Sequence, residues 1–105
     1  MGASLADSRN EIAMILLISY DLNGHERPAA YARAKRYIEQ HAESSIRPLY
    51  SQWFVQTDAS AEQWVTALRD NDIVDDNDYL FICTVRRPFQ GWLEQTHWEW
   101  LNSRA

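Results

Sequence analysis

The sequence predicts one α+β domain, in which four strands and two helices follow each other in the order βαββαβ. The chain has 105 residues, which suits one domain and is too short for two ordinary ones. Hydrophobic residues make up 46% and aromatic residues 12%, so the chain can bury a core and does not belong to the disordered class. Short apolar runs alternate with segments of helical spacing, and this alternation gives the order of elements.

The first strand and the first helix are predicted from residues 12–42. Residues 12–20, IAMILLISY, form a continuous apolar run of strand length. The Asp, Asn and Gly residues in the segment 21–24 are typical of a turn. Pro28 suits the first turn of a helix, where its missing N–H is not needed. A stripe at three- and four-residue steps then predicts a helix of about four turns: Tyr31, Ala34, Ile38 and Ala42.

The middle of the chain predicts two strands and a second helix. Aromatic and β-forming residues in LYSQWFVQT indicate a short strand around residues 47–51, which turns or bulges into a longer strand at 52–57. Asp58 or Ser60 caps the second helix, and Glu62 supports its first turn. The apolar stripe of this helix is Ala61, Trp64, Val65 and Leu68.

The last strand follows an acidic segment. Residues 70–78 contain five aspartates, which we interpret as a solvated loop. A calcium-binding loop would require Gly at its sixth position and Glu at its twelfth, and the acidic segment has neither. Residues 79–85 form an apolar strand that ends at Arg86, Arg87 and Pro88. The Trp-rich tail that follows has helix-like spacing of its larger side chains: Leu93, His97, Trp98, Trp100 and Leu101.

These elements predict a ferredoxin-like βαββαβ sandwich, with an antiparallel sheet, both helices on one face and a C-terminal helical tail. The domain occupies residues 12–88. Residues 1–11 are small and polar and are expected to form a flexible tail, and residues 89–105 are expected to pack on the domain or on a dimer mate. Translation that begins at Met14 is an alternative to a native segment 1–13.

The first and last strands also predict a homodimer. Strands with helices on only one side usually alternate apolar and polar residues. Residues 14–18, MILLI, and 79–83, YLFIC, are apolar on both sides instead, so the second face of the sheet must also be covered. A second sheet packed face to face in a two-fold dimer would cover it. The alternative is coverage by the chain's own C-terminal tail.

Charge and cysteine content argue against a monomer that coats nucleic acid and against a disulfide-bonded domain. The net charge of −5 argues against a monomer that coats DNA or RNA, although it leaves room for a local basic face. Cys83 is the only cysteine, so no intramolecular disulfide forms, and its apolar surroundings indicate a small core residue. No segment is apolar over the roughly 18 to 20 residues that a membrane span needs. We expect a cytoplasmic protein without membrane association.

Three short motifs, in their order and spacing, resemble those of a known group. They are SYDLN at residues 19–23, YSQWFV at 50–55 and DND at 76–78. Over about residues 14–101 the chain resembles the small ferredoxin-fold superfamily that includes the second CRISPR-associated subunit of spacer integration and the virulence-associated protein D toxins. It is more similar still to a bacterial branch labelled SinR-like.

The resemblance implies a site at the end of the first strand. In the CRISPR-associated members, the aspartate there meets its dimer mate near the two-fold axis, and the pair has been proposed to hold a divalent metal for phosphodiester cleavage. The matching residue here is Asp21, with Tyr20 beside it, and Ser51 matches the serine of the second motif. The resemblance thus implies Asp21, Tyr20 and Ser51 as catalytic residues, with Asp21 as the ligand of Mg²⁺ at the dimer axis.

The chain departs from the CRISPR-associated pattern in three ways. Residues 23–27, NGHER, stand where those members often carry a basic cluster, the net charge is acidic, and the Trp-rich tail is not typical of them. These differences weaken a role in DNA integration.

The residues themselves leave the role of Asp21 open. As a Mg²⁺ ligand, Asp21 supplies one carboxylate per chain, and a two-fold axis would supply the second. His25 would then serve as the base for cleavage. Alternatively, an Asp before Leu-Asn-Gly is a turn former that accepts backbone N–H groups. His41 and His97 lie near apolar stripes, which predicts core or boundary roles.

The basic residues concentrate on the first helix and just beyond it. They form either a solvated helix face or a contact surface for an RNA or DNA backbone: Arg27, Arg33, Lys35, Arg36 and Arg47. Two functional hypotheses follow. The first is a homodimeric, non-catalytic or weakly catalytic binding module without a cofactor. The second is a toxin-like, Mg²⁺-dependent endoribonuclease that uses Asp21 of both chains.

Overall fold

The computed structural model of the protein describes residues 14–23 and 27–105. This part of the chain contains four strands, β1 (Met14–Asp21), β2 (Ser44–Leu49), β3 (Gln52–Thr57) and β4 (Tyr79–Thr84). It also contains three helices, α1 (Arg27–His41), α2 (Ala61–Asp70) and α3 (Gln95–Arg104). The predicted tail 1–11 lies outside the described residues. Within those residues, no helix is both long and apolar enough to cross a lipid bilayer.

The strands form one antiparallel sheet in the order β2-β3-β1-β4. Strand β1 lies inside the sheet and is paired on both sides: Ile18 lies opposite Trp53 of β3 and Ile82 of β4. Its continuous apolar run suits this interior position. The architecture confirms the predicted α+β class and is consistent with a ferredoxin-like arrangement.

One face of the sheet carries the core, and we call it the helix-covered face. Leu16 and Ile18 of β1 and Val55 of β3 share this face, and all three are fully buried. Helix α1 adds Ile38 to the same cluster, and α2 adds Leu68. Full burial of an apolar side chain of this size contributes about 1.5–3 kcal/mol. This layer therefore holds α1 and α2 against the sheet.

The opposite face, which we call the second face, is covered in part by α3. The Nε1 of Trp100 donates to the Oγ of Ser44 at 2.9 Å, and the Nε of Arg104 donates to the Oε1 of Gln56 at 2.9 Å. Leu101 of the same helix is buried. Ser44 and Gln56 lie opposite each other in β2 and β3, so α3 covers that half of the face.

The described residues leave the half of the second face over β1 and β4 uncovered. Tyr79 and Phe81 of β4 are 73% and 64% exposed. Leu17 and Cys83, which lie opposite each other on the same face, are partly buried. We call these four residues the uncovered strip. Helix α3 thus covers the half of the second face over β2 and β3.

Strand β2 begins and ends earlier than the predicted range 47–51. It spans Ser44–Leu49, and residues 50 and 51 form the turn into β3. Ser44 and Ser45, which interrupt the helical pattern in the sequence, pair with β3 as strand residues. The register shifts between Ile46 and Leu49, around Pro48, which cannot donate a backbone hydrogen bond. Strand β4 ends at Thr84, one residue before the predicted end.

Ser60, one of the two predicted caps, is the N-cap of helix α2. The Oγ of Ser60 accepts a hydrogen bond from the backbone N–H of Gln63 at 3.1 Å. The Oε1 of Gln63 accepts one from the backbone N–H of Ser60 at 2.8 Å. This reciprocal pair is a capping box, and it satisfies two backbone donors at the start of the helix.

Candidate functional site

A groove of about 560 Å³ lies at the C-terminal end of β1, next to the turn between β2 and β3. Its wall contains all three residues that the resemblance implied, Tyr20, Asp21 and Ser51. The backbone N–H of Tyr20 donates to the carbonyl of Ser51 at 3.1 Å, so the end of β1 and the turn are joined directly. The rest of the wall is mainly aromatic: Tyr31, Tyr50, Tyr79 and Phe81. We call this feature the strand-end groove.

The Tyr20 hydroxyl is engaged inside the core. It accepts a hydrogen bond from the Nε1 of Trp53 at 2.9 Å, and both side chains are buried. Burial raises the pKa of the Tyr20 phenol, and the hydrogen bond from Trp53 and the positive charge of Arg47 offset only part of this rise. The phenol is therefore protonated at neutral pH and acts as an acceptor that orients the indole.

Tyr50 forms the outer part of an aromatic stack. Its ring lies 4.8 Å from that of Tyr31 with an angle of 21° between the planes. The guanidinium carbon of Arg47 lies 4.5 Å from the Tyr50 centroid, and the Arg47 Nε donates to the Tyr50 carbonyl at 2.8 Å. Such cation–π contacts contribute about 0.5–1 kcal/mol at exposed sites. The sequence did not indicate this stack, because Tyr31 and Tyr50 come from different elements.

Asp21 lies at the exposed end of β1. It pairs across the strands with Tyr79, and Ser19 pairs with Phe81, so these side chains share the second face. The described residues include no group of three His, Cys, Asp or Glu side chains that could hold a metal ion. In the nuclease hypothesis, the second carboxylate for Mg²⁺ would come from Asp21 of a second chain.

Asp78 belongs to the acidic segment that the sequence analysis placed in a solvated loop, but its carboxylate has a structural role. Its Oδ1 accepts the backbone N–H of Asn23 at 2.7 Å, and its Oδ2 accepts that of Asp75 at 2.9 Å. The Nδ2 of Asn23 donates to the Asn77 carbonyl at 2.8 Å. Asp78 thus ties the loop to the residues after β1. An Asp directly before a strand, near turn residues, is the signal that could have indicated it.

The predicted basic residues fall into two settings. The exposed ones lie on α1: Arg33, Lys35 and Arg36. Arg47 is held in the β2–β3 hairpin, where its guanidinium carbon also lies 5.4 Å from the Trp53 centroid. The side chain of Arg27 lies outside the described residues.

Neither described histidine lines the strand-end groove. The Nδ1 of His41 lies 2.8 Å from the Tyr37 carbonyl, and the two rings stack at 4.0 Å at the exposed end of α1. His41 also lines a second groove of about 490 Å³ between α1 and α2, which the sequence did not indicate. His97 is partly buried on α3, and His25 lies outside the described residues.

Comparison of the chain with protein-family models, with curated proteins and with solved structures found no match. The resemblance to the SinR-like branch therefore stays a prediction from the sequence motifs.

Proposed function

We propose that this chain is a homodimeric binding module of ferredoxin-like fold, non-catalytic or weakly catalytic, that contacts a protein or a nucleic acid through the strand-end groove. The strand order β2-β3-β1-β4 supports the fold. The observation that carries the proposed function is the wall of the groove, which four tyrosines and one phenylalanine line together with Asp21. Aromatic side chains of this kind are enriched among the residues that dominate binding energy in interfaces.

The polar groups around the groove also favour binding over chemistry. The Tyr20 hydroxyl is bound to Trp53, and both carboxylate oxygens of Asp78 accept backbone hydrogen bonds. Arg47 is held against Tyr50. Groups that are fixed in this way stabilise a rigid aromatic surface, which loses little conformational entropy when a partner binds.

The uncovered strip supports the homodimer. Its aromatic members, Tyr79 and Phe81, lie beside each other on one face of β4, and both are more than half exposed. Contiguous exposed apolar residues on a small domain mark an interaction surface. A second copy of the chain is the occupant that we propose.

The alternative function is a Mg²⁺-dependent endoribonuclease, and the position of Asp21 favours it. Asp21 lies at the exposed end of β1, and the groove wall that contains it also contains Ser51. In a dimer that brought the two Asp21 carboxylates together, they would hold the ion, which would activate a water molecule for phosphodiester cleavage. The exposed residues Arg33, Lys35 and Arg36 would contact the RNA backbone.

Two measurements test these proposals. Light scattering on purified protein should give the mass of two chains, and the mass of one chain would contradict the homodimer. Cleavage of RNA and DNA should then be assayed with Mg²⁺ or Mn²⁺ for the wild type, for Asp21→Ala and for Asp70→Ala, whose exposed carboxylate lies outside the groove. A binding module should show no cleavage that depends on Asp21. Cleavage that Asp21→Ala abolishes and Asp70→Ala retains would overturn that proposal and support the alternative.

A further inference from the structure

The two edges of the sheet differ in their protection against pairing with another strand. Edge strand β2 contains Arg47 and Pro48 and has an irregular register, all of which hinder the addition of a further strand. Edge strand β4, with the sequence YLFICT, contains no charged residue, no proline and no glycine. The chain therefore blocks one edge and leaves an apolar, regular strand at the other.

The backbone of β4 has three residues whose hydrogen-bonding groups point away from the sheet. The N–H of Val85 donates to the Ile15 carbonyl at 2.8 Å. Because hydrogen-bonded and non-hydrogen-bonded positions alternate along an antiparallel pair, the odd-numbered residues of β4 face β1. The N–H and carbonyl groups of Leu80, Ile82 and Thr84 consequently point outwards. No backbone group of the described residues forms a hydrogen bond with the outward N–H and carbonyl groups of β4.

We propose that the β4 edges of two copies pair with each other, antiparallel, around a two-fold axis at Ile82. In this register Leu80 lies opposite the partner's Thr84, Ile82 lies opposite the partner's Ile82, and all outward groups of both strands are paired. A shift in either direction leaves some of them unpaired. The two sheets become one sheet of eight strands, with the helix-covered faces on the same side.

The charges that flank β4 complement each other in this arrangement. The acidic segment with Asp75, Asp76 and Asp78 precedes the strand, and Arg86 and Arg87 follow it. Antiparallel pairing around Ile82 brings Asp78 opposite the partner's Arg86, and the two-fold axis repeats the contact. Parallel pairing would instead place like charges together, which is unfavourable. This complementarity favours a second copy of the chain as the partner of β4.

The proposed pairing rests on the homodimer of the proposed function and gives it a specific form: Phe81 of the uncovered strip lies beside the partner's Cys83 in a continuous sheet, and no second sheet is stacked on the strip. It also separates the two functional hypotheses. Asp21 lies opposite Tyr79, three residues from the axis and one strand further in. With a rise of about 3.4 Å per residue and a strand spacing of about 4.8 Å, the two Asp21 Cα atoms are about 25 Å apart. That distance excludes a metal ion shared by the two carboxylates.

A disulfide trap tests the register. Phe81 lies opposite the partner's Cys83 at a non-hydrogen-bonded position, where Cα atoms are about 4.5 Å apart, within the range that a disulfide spans. Phe81→Cys should therefore give a covalent dimer under mild oxidation, read on a non-reducing gel. In the control F81C/C83S the only thiols are the introduced one and its copy in the partner. Their Cα atoms are about 8 Å apart, too far for a disulfide, so this variant should remain monomeric on the gel. Equal cross-linking of both variants, or none of Phe81→Cys, would overturn the pairing.

A second pair of variants tests the backbone hydrogen bonds in solution. Thr84→Pro removes an outward N–H without removing a bond to β1, whereas Thr84→Ala keeps it. Loss of one interchain bond per chain should raise the dimer dissociation constant by about tenfold or more for Thr84→Pro and little for Thr84→Ala. Circular dichroism confirms that both variants fold. A wild type that is dimeric but insensitive to Thr84→Pro would reject the β4 edge and leave the homodimer, whereas a monomeric wild type would reject both.

Discussion

The phenol oxygen of Tyr20 accepts a hydrogen bond from the Nε1 of Trp53 at 2.9 Å, inside the core and in the wall of the strand-end groove. This contact joins the central strand β1 to β3 through two buried side chains. The same Tyr20 side chain therefore stabilises the sheet and forms part of the wall of the candidate site.

Tyr20→Phe should destabilise the fold by about 1–3 kcal/mol, because it leaves the buried Trp53 N–H without an acceptor. Chemical denaturation of the variant and the wild type measures the difference. Tyr79→Phe removes a hydroxyl from an exposed ring and should change stability by less than about 0.5 kcal/mol. Similar losses in the two variants would show that the hydrogen bond to Trp53 contributes little.

The contribution of Tyr20 to stability should decline at alkaline pH. Burial raises its pKa in the folded state, so the unfolded chain, with a tyrosine pKa of about 10, loses the phenolic proton first. Below that pH both states are protonated and the group causes no pH dependence. Above it the unfolded state binds fewer protons, so the free energy of unfolding falls until the folded-state pKa is reached.

This decline is measured as the stability difference between wild type and Tyr20→Phe across the alkaline range. The difference should shrink as the pH rises through about 10. The corresponding difference for Ser60→Ala, which removes no ionisable group, should stay constant. A Tyr20→Phe difference that does not change with pH would contradict the prediction.

Asp78→Ala should destabilise the protein by about 1–3 kcal/mol, since it removes the acceptor for the backbone N–H groups of Asn23 and Asp75. Amide hydrogen exchange at Asn23 should also become faster. Asp70→Ala removes an exposed carboxylate of the same acidic segment and is the matched control. If both variants lost the same stability, general charge effects would explain the result better than the two hydrogen bonds.

Leu101→Ala should cost about 2–5 kcal/mol, because the side chain is buried between α3 and the sheet. Trp92→Ala removes a larger side chain that is 99% exposed, so it should have little effect on stability. Thermal or urea unfolding compares the two variants. A small loss for Leu101→Ala would mean that α3 does not form part of the cooperative core.

Ser60→Ala should destabilise the protein by about 0.5–2 kcal/mol through loss of the capping box. Thr66→Ala, at an exposed position inside α2, should be neutral or slightly stabilising because alanine has the higher helix propensity. Equal effects of the two substitutions on urea unfolding would contradict a specific role for the cap.

Apolar patterning predicted most of the fold, and it failed where pairing overrides local preference. The predicted apolar runs 12–20 and 79–85 coincide with strands Met14–Asp21 and Tyr79–Thr84, because continuous apolar runs of this length are typical of strands. Strand β2 was misplaced because Ser44 and Pro48 are unfavourable for strands, yet pairing with β3 and the tolerance of an edge for proline keep both in the sheet.

The candidate site was predicted only where its residues belong to short motifs. Asp21, Tyr20 and Ser51 were indicated, and the structure brings them to one groove. The sequence did not indicate the stack of Tyr31 on Tyr50 or the role of Asp78, since each depends on how separate elements pack. Local sequence contains no signal for such contacts.

Growth of a sheet from molecule to molecule requires an accessible strand on each side of every molecule. Pro48 and the shifted register of β2 remove that possibility on one side of this chain. Once a second copy has paired with β4, the described residues leave no regular edge strand to recruit a third copy. Strand β2, with its proline and its shifted register, would therefore limit the assembly to two chains and hinder the formation of fibres.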